Sequence, residues 1–86
     1  MPRVSEFFGI VISMYYNDHL PPHFHAEYGE HEAVYEIDTL DILQGHLPRR
    51  AHNLVVEWAL LRRSELRENW DHARQGKTLL HIEPLD

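Results

Sequence analysis

The chain predicts an α+β fold: an antiparallel three- to four-stranded sheet followed by a C-terminal helical half packed on one face. Three observations carry this. The first half alternates apolar and polar residues with period two between turn-forming residues. The second half repeats its apolar residues at helical spacing. Pro48 stands where one pattern gives way to the other. With 86 residues and no linker, repeat or low-complexity stretch, residues 1–86 form a single domain. A chain of this size buries only about 60–65% of its unfolded surface. A hydrophobic content of 43%, with Trp58 and Trp70 included, suffices for one modest core.

The first element is "FFGIVISMYY" (Phe7 to Tyr16), rich in β-branched and aromatic residues. Read as one strand, it places Phe8, Ile10, Ile12, Met14 and Tyr16 on one face and Phe7, Val11 and Tyr15 on the other. Apolar residues on both faces suggest an inner strand or one covered by another chain. Pro21 and Pro22 end it, because proline cannot donate to a ladder.

From His23 the alternation is clean. Phe24, Ala26 and Tyr28 point to the core, and His23, His25 and Glu27 point away. Gly29-Glu30 is a two-residue hairpin loop, with glycine first as a type II′ turn requires. The returning strand runs from His31 to about Asp38, with Ala33, Tyr35 and Ile37 on the core face. "DTLD" is a further turn and "ILQGHL" a short last strand.

Pro48 suits the first position of a helix. Ala51, Leu54, Trp58 and Leu61 form one apolar stripe; Leu66, Trp70 and Ala73 form another, rotated by about 100° at 3.6 residues per turn. Ser64 lies at the break as an N-cap for a second helix, and Gly76 is a natural stop. "LLHIEPL" closes the chain as a strand or an extended tail.

Composition excludes several chemistries. Cysteine is absent, so disulfides, thiolate–zinc sites and cysteine nucleophiles are excluded. No apolar run reaches the roughly 18 residues of a membrane span. The start resembles a signal peptide weakly, but Glu6 precedes the apolar run and no small-residue cleavage site follows. A cytoplasmic location is expected. Residues 1–47 hold eight acids against one base, Arg3, whereas residues 48–86 are nearly balanced. An acidic half repels phosphates, so nucleic acid is not an expected partner. A cation or a basic surface is.

Histidines concentrate where the acids do. The hairpin register pairs Tyr28 with His31, so Glu27 faces Glu32, His25 faces Val34 and His23 faces Glu36. Cross-strand neighbours have Cβ atoms about 4.5–5.5 Å apart, and same-face neighbours along a strand lie about 6.6 Å apart. Two imidazoles and a carboxylate at such spacing can meet one Zn, Mn or Fe ion at about 2.0–2.2 Å. The candidate metal ligands are His23, His25, Glu27 and Glu36, with His19 folding back across the Pro-Pro turn. Two other readings stand beside this one. The same residues can form a solvated sheet face, where a His23–Glu36 pair is worth under about 1 kcal/mol. They can also form a metal-free catalytic histidine pair. Arg49 and Arg50 open the helix, where cations oppose the macrodipole. They are candidates for phosphate binding or for pairing with the acidic strands.

"DH.PPHFH..YGE.EA", followed by "LPRR", "EW", "EL..NW" and "G....I.PL", resembles the bacterial domain-of-unknown-function family 4160. The likeness covers nearly the whole chain. It implies a small standalone bacterial protein, often found beside a second small uncharacterised family and sometimes listed as a candidate toxin–antitoxin component. No activity carries over from it.

Three function classes follow. The one best matched to size, acidity and a two-sided apolar first strand is a binding or regulatory partner, joined to a protein partner or to a second copy in a homodimer. It would be one component of a toxin–antitoxin-like two-gene module. The alternatives are a metal-dependent hydrolase or nuclease built on the histidines, and a metal-independent ribonuclease with Arg49 or Arg50 steadying phosphate.

Overall fold

A computed structural model describes residues 2–86. Five strands come first: β1 (Arg3–Phe7), β2 (Ile10–Ser13), β3 (His23–Tyr28), β4 (His31–Glu36) and β5 (Ile42–His46). Two helices follow, α1 (Arg49–Leu61) and α2 (Arg63–Arg74). The strands form one antiparallel sheet in chain order, β1 to β5. The fold is α+β as the sequence predicts, with one strand beyond the upper expected number.

The extra strand comes from the N-terminal segment. "FFGIVISMYY" is not one strand but the end of a hairpin, turning at Phe8 and Gly9, both at positive φ (49° and 80°). Phe7 therefore pairs directly with Ile10, and cross-strand partners share a face. Phe7, Ile10 and Ile12 all reach the core, while Phe8 is exposed in the turn. The two-sided apolar pattern thus arises from a change of direction and needs no second covering layer.

The β3–β4 hairpin has the expected register, Tyr28 opposite His31 and His23 opposite Glu36. Gly29 takes the turn's positive φ of 60°. Phe24, Ala26, Ala33 and Tyr35 are buried against the helices, leaving His25, Glu27 and Val34 on the outer face.

Trp58 is the centre of the core. It is fully buried, with its ring 5.2 Å from Phe7 and 5.9 Å from Phe24. Burying each such side chain stabilises the fold by roughly 1.5–3 kcal/mol. The buried stripe of α1 is Ala51, Val55, Trp58 and Ala59. Leu61, expected on it, is 66% exposed, because the chain breaks at Arg62 and α2 takes over the covering of the sheet. The break lies two residues before the expected cap: Ser64 sits inside α2, and Arg62 precedes it without a side-chain cap. Leu66, Trp70 and Ala73 form the second stripe as predicted.

Residues 77–86 are an extended tail. The buried Asn69 amide holds it by both ends: Nδ2 donates to the Leu80 carbonyl (2.7 Å) and Oδ1 accepts the Leu80 N–H (2.9 Å). Trp58 Nε1 donates to the Glu83 carbonyl at 2.8 Å. The Ile82 N–H donates to the Val4 carbonyl at 2.8 Å, laying the tail against β1.

Candidate metal centre

The loop between β2 and β3 turns at Asn17, which adopts φ 55°, and presents Asp18 to the beginning of β3. The Asp18 side chain is anchored locally, because Oδ1 accepts the His19 N–H at 2.9 Å. Its other oxygen, Oδ2, lies 2.8 Å from His23 Nε2 and 3.4 Å from His25 Nε2. Two residues apart on one strand, His23 and His25 point the same way, with ring centroids 5.3 Å apart.

Each ring is held from behind. His23 is only 8% exposed. Its Nδ1–H donates to the Pro21 carbonyl at 2.7 Å, and its ring packs 5.1 Å from Trp70. A histidine that gives one ring N–H to a backbone carbonyl has its other nitrogen aimed and its tautomer chosen, as in metal-ligating histidines. His25 packs nearly perpendicular to the Tyr15 ring, with ring centroids 4.5 Å apart. The Pro-Pro pair contributes acceptors as well as ending a strand: Pro22 takes the Ile37 N–H at 2.9 Å.

Among the described residues, Asp18, His23 and His25 form a group whose ligand atoms all lie within 4.8 Å of one another. Donor atoms around a tetrahedral ion at about 2.1 Å sit about 3.4 Å apart. Of the two separations from Asp18, the 3.4 Å one matches that value and the 2.8 Å one falls short of it. Small rotations of the half-buried Asp18 and His25 side chains toward the buried His23 would close the set around one ion.

The electrostatics favour a cation. Desolvation pushes the Asp18 carboxyl up, but hydrogen bonds from the His19 amide and the His23 and His25 rings outweigh it and hold the group below its ordinary value. Tyr15 is displaced upward, first by burial and then by the charges of Glu32, Glu27 and Asp18. The phenol therefore stays protonated within a negative field that spans this face of the sheet.

The sequence candidates are distributed unevenly around the site. His23 and His25 belong to the group; Asp18, which replaces the expected glutamate, was missed. Its signal was its place in "DHLPPHFH", where it reads as a turn residue. His19 offers its amide to Asp18, and its side chain lies outside the group. Glu27 and Glu36 also lie outside it, although Glu27 contributes to the field. Arg49 and Arg50 are exposed at the start of α1. They line a groove of about 650 Å³ with Asn53, Leu54 and Glu57, sharing no residue with the triad's surroundings. Among the described residues, neither makes an ion pair with the acidic strands.

The triad opens on a concavity of about 250 Å³ between the Asp18–Pro21 loop and Val34, Leu43 and Gln44. A neighbouring hollow of about 340 Å³ shares His25, Val34 and Gln44 and reaches Tyr15 and Glu32. An ion held by these three residues would have them on one side and the concavity on the other.

Comparison with curated proteins and with solved structures gives no match. A family model described as Domain of unknown function (DUF4160) matches residues 9–71. That span holds Asp18, His23 and His25 together with β2 through most of α2. With the model covering most of its length, the chain belongs to the DUF4160 family.

Proposed function

We propose that this protein binds one divalent transition metal through Asp18 Oδ2, His23 Nε2 and His25 Nε2, and that the open side of the ion serves metal-assisted hydrolysis. The observation that supports this reading is the convergence of these three atoms at the mouth of a concavity. Two imidazoles and a carboxylate suit Zn²⁺, Mn²⁺ or Fe²⁺. Structural zinc sites close with four protein ligands, whereas reactive ones hold three and keep a position for water. An ion in such a position lowers the pKa of bound water and polarises a carbonyl or phosphoryl oxygen.

Calorimetric titration of untagged protein with Zn²⁺, Mn²⁺ and Fe²⁺ tests the binding. One equivalent should bind the wild type, and the His23→Ala, His25→Ala double variant should lose it. Equal weak heats in both would return these residues to a solvated sheet face. The hydrolytic part fails if metal-loaded protein shows no metal-dependent turnover of chromogenic esters and phosphodiesters.

A further inference from the structure

The two edges of the sheet are treated differently. The tail lies against β1, where Ile82 bonds to Val4. At the other edge, all five residues of β5 are exposed. Edge strands that stay solvated are commonly blunted by lysine, proline or other charged residues, because a bare edge is a template for another strand. β5 reads Ile-Leu-Gln-Gly-His and carries no Lys, Arg, Asp or Glu. Ile42 and Leu43 are 40% and 44% exposed on it. The register against β4 shifts between Val34 and Tyr35, a bulge of the kind that blunts an edge.

The flanks of β5 identify what fits there. The chain enters the strand past two exposed acids, Asp38 and Asp41, and leaves it at two exposed bases, Arg49 and Arg50. Asp38 is already paired with Arg67, whereas Asp41, Arg49 and Arg50 have no ion-pair partner among the described residues. A parallel neighbour of the same sequence would set acid against acid and base against base. An antiparallel one sets the acidic entry of each strand beside the basic exit of the other, twice, about a two-fold axis.

We infer that β5 is the edge through which two copies of this chain pair antiparallel, extending the sheet across the dimer. The axis lies near Gln44, the middle residue of the strand. Leu43 and Gln44 also line the concavity beside Asp18, His23 and His25, so the second copy's strand borders each concavity. The dimer does not depend on a metal.

Charge reversal with rescue tests this on the full chain. Sedimentation equilibrium should give a dimer for the wild type. Asp41→Lys and Arg49→Glu should each weaken self-association roughly tenfold, since like charges then face each other at both contacts. Mixed in equal amounts, the two variants should form a heterodimer with restored affinity, because both contacts become attractive. Circular dichroism of each variant separates lost pairing from lost folding. A wild type that remains monomeric at about 100 µM, weaker than a specific dimer, overturns the inference. So does a dimer that neither variant weakens, or a mixture that regains nothing.

Discussion

The imidazole of His23 bridges two acceptors, with Nε2 2.8 Å from Asp18 Oδ2 and Nδ1 2.7 Å from the Pro21 carbonyl oxygen. Neither a carbonyl nor a carboxylate can donate, so each of these contacts calls on a ring N–H. A metal on Nε2 takes the place of one of them.

Ligation requires deprotonated ligand atoms, so metal binding at this site should release protons. Calorimetry in buffers of different ionisation enthalpy measures this directly. Affinity should also fall as pH drops below about 6, where free imidazole protonates. A titration with no proton release and no pH dependence would place the ion elsewhere.

Asp18 gives the fold a pH dependence of its own. Its carboxyl lies below the ordinary value of 3.8, so the folded state binds fewer protons there than the unfolded state. The stability this contributes is fully present above about pH 4 and is lost as acid carries the group through its lowered folded value. Asp18→Asn should cost about 1–2 kcal/mol at neutral pH, the scale of hydrogen bonds to a charged group. Urea unfolding between pH 2 and about 7 should show the variant's deficit shrinking toward the acid end.

Trp58→Ala should cost about 3–5 kcal/mol, a large share of the roughly 5–15 kcal/mol typical of a domain. Trp58→Phe keeps an aromatic ring but loses the bond to the Glu83 carbonyl and leaves a smaller cavity, and should cost about 2 kcal/mol. Denaturant midpoints should therefore fall in the order wild type, Trp58→Phe, Trp58→Ala.

Gly45 stands at φ 73°, and a Cβ there would lie 2.1 Å from the Glu32 carbonyl oxygen. Gly45→Ala should therefore prise β5 from β4, at a cost above the roughly 1 kcal/mol of positive φ alone. Hydrogen exchange should accelerate along β5 while the core amides around Phe24 stay protected. Uniform acceleration would mean that β5 is integral to the cooperative unit.

Legibility in the sequence followed the range of the interactions. The β3–β4 hairpin could be read to the residue because a two-residue loop and period two determine its register locally. Trp58 and Trp70 were legible from helical spacing. The β1–β2 turn was hidden because Phe8, an aromatic residue inside an apolar run, occupies a conformation usually left to glycine or asparagine. The helix break at Arg62 has no cap signature at all. Asp18 was out of reach for a different reason: no periodicity says which way a loop carboxylate turns. In the structure a contact with its neighbour's amide anchors one oxygen and leaves the other facing His23 and His25.

The bond from Ile82 to Val4 joins residues near opposite ends of the sequence. During synthesis β1 is therefore made well before the segment that covers it, and its border of the sheet stays bare until residues 79–85 have emerged. A nascent chain in that state exposes strand templates at its most aggregation-prone stage. Pairing of β5 between neighbouring nascent chains would close one border early, leaving the tail to seal the other.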